Sequence, residues 1–354
     1  MAKEQIVIDQ YELESGVVIK NVAIAFHRYG NFDEHKNNVV WICHALTANS
    51  DPYEWWPKVC GSDGYFNEND HHIICANILG SYYGTTGPLS EDENGQIYYD
   101  EFPQITTRDM AGLHELLAQR LGITQIQTLI GASLGGQQAI EWAISNPNRF
   151  EHLILIATNA YHSPYGIAFN ESQRLAIEAD PSYYLKTADG GKNGLIAARS
   201  IALLSYRSYA GYLATQRESV TEKTNQFRAA QYQRYQGTKL ANRFNAYSYV
   251  LLSKAMDSHN VARGRESLAQ ALKTITAKTL IIGITSDILF PLEEQKLLKF
   301  YINYAEFQTI DSSIGHDGFL LEHESLIKHF KNFFEHKDNR QWKKSFQNEF
   351  LFTA

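Results

Sequence analysis

Five short stretches of the chain are apolar almost throughout instead of at every second position: 39–43, 72–77, 128–130, 153–157 and 279–284. Residues 307–310 form a sixth, weaker one. A short unbroken apolar run marks a strand covered on both faces, as in a parallel sheet. Helical patterns fall between the runs. Residues 108–121 carry Met110, Leu113, Leu116, Leu117 and Leu121 at helical spacing. Residues 292–304 and 325–334 repeat the pattern with Leu297, Leu298 and Tyr301, and with Ile327, Phe330 and Phe334. This alternation predicts an α/β fold with a mostly parallel sheet flanked by helices.

The alternation stops between about 160 and 275, a stretch rich in Ala, Gln, Tyr and Arg that reads as helical at 168–179, 194–206 and 245–256. The expected organisation is a core built from 1–160 and 275–354, with a helical insertion at 161–274. A lid over the active site is its natural use, and a plain structural elaboration is the simpler alternative. The charged tail at 335–344 is expected in solvent.

Composition narrows the function classes. The 354 residues carry a net charge of −7 and no long basic run, so neither nucleic acid nor an anionic membrane surface is an expected partner. The N-terminus lacks a basic segment followed by a long apolar one, and no apolar run spans a bilayer, so a cytoplasmic location is expected. Cys43, Cys60 and Cys75 are odd in number and spaced like no zinc ligand set. They are read as reduced thiols, with no disulfide, metal or bound cofactor.

The chemistry starts at Gly131-Ala132-Ser133-Leu134-Gly135, between the strand 128–130 and the helical run Gln137-Gln138-Ala139-Ile140-Glu141-Trp142-Ala143. Strand, Gly-x-Ser-x-Gly and helix in that order make a nucleophile elbow, which lifts one serine hydroxyl onto a tight turn. A serine hydroxyl needs a base, and the base needs an acid to fix its tautomer. With this elbow the acid and then the histidine follow later in the chain. Asp287 lies just past the strand 279–284, and His316 lies in a glycine-flanked loop after 307–310. A turn aspartate and an ordinary loop histidine are the plain readings of each alone; their order and placement together favour a triad. Of the other histidines, His71, His72, His114, His323, His329 and His336 read as surface or structural residues. The oxyanion of an acyl intermediate needs two N–H donors. Leu134, directly after the serine, is one candidate, and Leu46, in the loop after 39–43, is the other.

Longer strings then resemble one family. His44-Ala45-Leu46-Thr47, Trp55-Trp56, the run 77–88 (Asn-Ile-Leu-Gly-Ser-Tyr-Tyr-Gly-Thr-Thr-Gly-Pro), Phe102-Pro103-Gln104-Ile105-Thr106 and the elbow are similar to the homoserine O-acetyltransferases. So are Ala198-Arg199, Tyr235-Gln236-Gly237, Asp257-Ser258-His259 and Gly315-His316-Asp317-Gly318. The resemblance runs from about residue 10 to 335. It implies an α/β-hydrolase fold with an inserted helical lid and a homodimer formed through that lid. It also implies acetyl transfer from acetyl-CoA to the hydroxyl of L-homoserine, in methionine biosynthesis. By motif, Ser133, Asp287 and His316 form the triad, and Arg199 and Asp317 bind the amino acid. A guanidinium suits its carboxylate and a carboxylate suits its ammonium. Departures occur at Ala132 and Leu134, where Gly and Met are frequent, and at Asn245 and Tyr247, where Asp and Asn are. Relatives that use succinyl-CoA, or that acetylate serine, and an esterase with the same triad remain as alternatives.

Overall fold

A computed structural model of the chain describes residues 3–33 and 35–335. It holds one sheet of eight strands: β1 (Glu4–Glu12), β2 (Val18–Tyr29), β3 (Val39–Cys43), β4 (His72–Ala76), β5 (Ile126–Ala132), β6 (Phe150–Ile156), β7 (Lys278–Ile284) and β8 (Ala305–Ile310). Their order is β1-β2-β4-β3-β5-β6-β7-β8. The β1–β2 and β2–β4 pairs are antiparallel and all later pairs are parallel. The sequence pattern found the six strands from β3 onward. It missed β1 and β2 because they are partly exposed, so their apolar residues are interrupted by polar ones.

The inner strands are mostly apolar because both faces are covered. Val39, Trp41, Leu129, Leu153 and Ile281 enter one core cluster. Their neighbours Val40, Ile42, Ile130, Ile154 and Ile282 enter another, consistent with side chains that alternate between faces. Helices α1 (Pro52–Trp55), α2 (Thr107–Arg120) and α3 (Leu134–Ser145) come before the insertion. Thr106 and Asp109 cap α2 reciprocally, which fixes where it starts. Trp142 of α3 meets Trp41 edge-on at 5.1 Å and stacks on His114 of α2, locking both helices to β3.

Between β6 and β7 lie α4 (Pro164–Glu178), α5 (Lys192–Tyr206), α6 (Tyr209–Gln216), α7 (Arg228–Ala241), α8 (Ala246–Asp257) and α9 (Leu268–Lys273). Helix α5 packs against both α4 and α7. The chain leaves the core and returns to it along a paired seam: the His162 N–H donates to His259 O and the Val261 N–H to Ala160 O, both at 2.9 Å. After β7 come α10 (Leu292–Tyr301), α11 (Gly318–Leu321) and α12 (His323–Glu335). Apart from Glu335, the charged tail falls outside the described residues, as does His336. Among the described residues no helix is long and apolar enough to cross a membrane. Cys43, Cys60 and Cys75 are free and buried.

Candidate active site

Parallel strands bring their carboxyl ends to one edge of the sheet, and the loops there carry the chemistry. Ser133 follows β5 directly, Leu46 lies three residues past β3, Asp287 three past β7 and His316 six past β8. Topology alone therefore gathers four segments that are up to 270 positions apart in sequence.

The elbow is as tight as its sequence requires. Ser133 adopts φ 56° and ψ −127°, a region that non-glycine residues rarely enter and that costs about 1–3 kcal/mol. Its surroundings hold it there: its N–H donates to Ile156 O at 3.0 Å, and Thr158 Oγ1 donates to its carbonyl at 2.9 Å. A Cβ on Gly131 would overlap the backbone of Gly135, and one on Gly135 would overlap the carbonyl oxygen of Cys43. Both glycines are thus demanded by the close approach of α3 to β5 and β3.

Ser133, His316 and Asp287 form a continuous hydrogen-bonded line. His316 Nδ1 lies 2.6 Å from Asp287 Oδ2, and His316 Nε2 lies 2.9 Å from Ser133 Oγ. The carboxylate can only accept, so Nδ1 carries the proton and Nε2 accepts from the serine hydroxyl. Asp287 Oδ1 accepts from the N–H groups of Leu289 and Phe290, at 2.8 and 2.9 Å, which fixes the carboxylate. All three side chains are buried. Phe290 stacks on the imidazole at 5.0 Å, with Tyr206 and Phe319 on its other sides. Burial opposes the charged imidazole, but the Asp287 carboxylate, helped by Asp317, outweighs it and holds the His316 pKa above its ordinary value.

Leu46 and Leu134 are buried, and among the described residues neither N–H donates to a protein acceptor. The Leu134 N–H belongs to the first turn of α3, where no partner exists within the helix. The loop bearing Leu46 is pinned from three directions. The buried His44 imidazole bonds to Ala45 O at 2.8 Å and accepts from the Ile78 N–H at 3.2 Å. Its burial lowers the pKa to about 4, so it stays neutral and can accept. Gln138 of α3 donates to His44 O at 3.2 Å. From the turn between α7 and α8, Arg243 donates to Thr47 O at 2.5 Å and to Tyr83 Oη at 2.6 Å.

Asp317 directly follows His316 in the chain and Arg199 lies one ring away from that imidazole, and the two are not paired with each other. The Arg199 guanidinium lies 5.1 Å over the ring of Tyr206, whose ring is in turn 5.7 Å from that of His316. The Asp317 carboxylate instead faces Arg207, with Nε 3.0 Å from Oδ2. Arg207, Arg243 and Phe290 were not legible as site residues in the sequence. Nor was Glu294, which accepts from Asn159 Nδ2 at 2.9 Å and whose pKa is raised to about 7 by burial and by Asp287. Neighbouring motifs, Tyr206-Arg207-Ser208 and Arg243-Phe244, were the only available signals, and neither has a spacing that declares a role.

A family model of the alpha/beta hydrolase fold matches residues 38–322. The homoserine O-acetyltransferase of Cyclobacterium marinum is 46% identical over 91% of this chain and 92% of its own. Among solved structures, the homoserine O-acetyltransferase of Staphylococcus aureus superposes with a TM-score of 0.80 at 30% identity, covering 96% of each chain. Esterase E22 superposes with a TM-score of 0.85 at 22% identity, covering 94% of this chain and 100% of its own. That likeness speaks for the fold alone. Sequence identity over nine-tenths of the chain carries the narrower assignment: the chain belongs to the homoserine O-acetyltransferase family, on the α/β-hydrolase fold.

Proposed function

We propose that this protein transfers an acetyl group from acetyl-CoA to the hydroxyl of L-homoserine through an acyl-enzyme on Ser133. The observation that carries this reading is a buried Ser133–His316–Asp287 line flanked by an arginine and a carboxylate, Arg199 and Asp317, in a chain of this family. His316 Nε2 takes the Ser133 proton as Oγ attacks the thioester carbonyl. The N–H groups of Leu46 and Leu134 receive the oxyanion, and CoA leaves as the thiol with the proton from His316. Homoserine then binds with its carboxylate on Arg199 and its ammonium on Asp317. His316 removes the proton from its hydroxyl, the oxygen attacks the acyl carbon, and Ser133 regains its proton as the ester departs.

Transfer demands that water be kept from the acyl-enzyme. Helices α4 to α8 serve as the lid that does so, and the burial of all three triad side chains supports this. The exposed apolar residues Leu204, Tyr209, Leu213 and Tyr235, on α5, α6 and α7, support a homodimer formed through the same helices. A cytoplasmic location fits a biosynthetic reaction on soluble substrates.

The test is a matrix of acetyl-CoA and succinyl-CoA against L-homoserine and L-serine, with products read by mass spectrometry. O-Acetylhomoserine as the dominant product supports the proposal. Preference for succinyl-CoA or serine, or acetate formed equally fast without an acceptor, overturns it.

A further inference from the structure

Asp317 is an unusual anion. It is buried, with 7% of its surface exposed, yet among the described residues no hydrogen-bond donor is aligned on either carboxylate oxygen. Among the described residues its one ion-pair partner is Arg207, and that contact is poorly made. Arg207 Nε lies 3.0 Å from Oδ2 but is buried without a hydrogen-bond partner, so its N–H does not point along the contact. An N–H that near a carboxylate without aligning with it is held mainly by charge. Meanwhile the backbone around this pair is fixed. The Asp317 N–H donates to Tyr206 O at 3.1 Å and the Ser208 N–H to Ile314 O at 2.8 Å. A Cβ on Gly315 would crowd Ser208 N and Tyr206 O. The two main chains are therefore stitched together while the two side chains between them are not.

The geometry points to Arg207 as a displaceable counter-ion, which holds Asp317 while the acceptor site is empty and yields it to the ammonium group of the amino-acid acceptor. This rests on the proposed role of Asp317. An ammonium has three donors that rotate freely and can align on oxygens that the guanidinium leaves unbonded. Arg207 is thus a specificity-determining residue. It competes with the ammonium of an amino-acid acceptor for Asp317, whereas a hydroxy acid leaves the pair closed and meets no such competition, so Arg207 narrows the preference for the amino acid.

Arg207 also moderates the base. Asp287 and Asp317 face His316 and favour its charged form; Arg207 neutralises the second of them, and Arg199 and Tyr206 lie on the same side from α5. Phe290 and Phe319 contribute no charge. Glu294 faces Asp287 and has its own pKa raised by burial and by that carboxylate.

The experiment uses the full-length protein with Arg207→Gln, Arg207→Met, Arg207→Lys and Asp317→Asn. Met keeps the apolar stem and is a second neutral variant should Gln impair folding. Two readouts are needed. The first is the ratio of kcat/KM for L-homoserine to that for 4-hydroxybutyrate, which lacks the ammonium. The second is the pH dependence of the p-nitrophenol burst from p-nitrophenyl acetate, which involves no acceptor. The neutral variants should raise the ratio about three- to fivefold, the worth of a partly exposed ion pair. They should also move the acid limb of the burst to higher pH, because the Asp317 charge then acts on His316 undiminished. Arg207→Lys should stay near the wild type in both. A ratio that falls or stays constant, or an acid limb that does not move, overturns the role of Arg207. If instead Asp317→Asn leaves the ratio unchanged, the underlying assignment of the ammonium to Asp317 fails.

Discussion

Replacing Asp287 with asparagine changes one atom, and the hydrogen bonds around it dictate the consequence. Oδ1 accepts from two backbone N–H groups, those of Leu289 and Phe290, while Oδ2 accepts from His316 Nδ1. An asparagine offers one oxygen and one NH2. Turning the NH2 toward Leu289 and Phe290 would set donor against donor twice and leave both buried N–H groups unpaired, at about 1–3 kcal/mol each. The oxygen therefore stays at the Oδ1 position and the NH2 faces His316 Nδ1. Nδ1 must then present its lone pair and the ring proton moves to Nε2, where it faces Ser133 Oγ and can no longer accept. Forcing that tautomer in a Ser-His-Asp site costs about 10⁴-fold in kcat, roughly 5.5 kcal/mol of barrier. Thiol release from acetyl-CoA with homoserine present, and the p-nitrophenol burst, should both fall by this order. Near-UV circular dichroism should be unchanged, since every backbone bond survives. The acid limb of the residual activity should also shift to lower pH, because burial continues to disfavour the imidazolium after its main counter-charge is gone. A loss below tenfold with an unmoved acid limb would refute the assignment of Asp287.

Three further perturbations probe what supports the triad. Gly135→Ala sets a methyl group against the backbone oxygen of Cys43, where neither chain can give way; a loss of about 1–3 kcal/mol in stability and about 10²-fold in kcat is expected from thermal melts and the burst rate. Glu294 keeps its proton up to about pH 7 in the folded protein, against 4.5 ordinarily. The native state therefore binds more protons than the unfolded chain between these values, so stability falls as pH rises through that window. Glu294→Gln should remove the fall, gaining about 1–2 kcal/mol over the wild type at pH 8 after allowance for partial exposure, and nothing at pH 4, in denaturant titrations. Arg243→Ala frees Thr47 O and Tyr83 Oη and should cost about tenfold in kcat with less than about 1 kcal/mol in stability, because the released groups are only half-buried and Tyr83 Oη can still donate to Thr47 O.

The inner strands were legible because burial on both faces makes β3 wholly apolar and confines the polar residues of β5 and β7 to their first three positions, whereas the partly exposed β1 and β2 carry a mixed pattern. The hydrogen-bonded line of Ser133, His316 and Asp287 was legible because strand order fixes where an acid and a base must follow an elbow, and Asp287 and His316 occupy those places. The supporting shell was not. Arg243 reaches Thr47 across 196 positions of sequence, and Arg207 reaches Asp317 from the end of a helix in the insertion. No spacing rule links such pairs; only the folded chain brings them together. Glu294 is a surface-like residue in sequence, in the charged first turn of α10, and becomes unusual only through its burial beside Asp287.

The central claim is that the acyl group on Ser133 passes to an amino-acid hydroxyl and not to water. Thiol release from acetyl-CoA, followed against homoserine concentration with the products quantified, tests it most directly. The account predicts one turnover per site without homoserine, then release that rises to saturation with it and yields one O-acetylhomoserine per thiol. Continuous release at the same rate without homoserine, with acetate as the product, would contradict it.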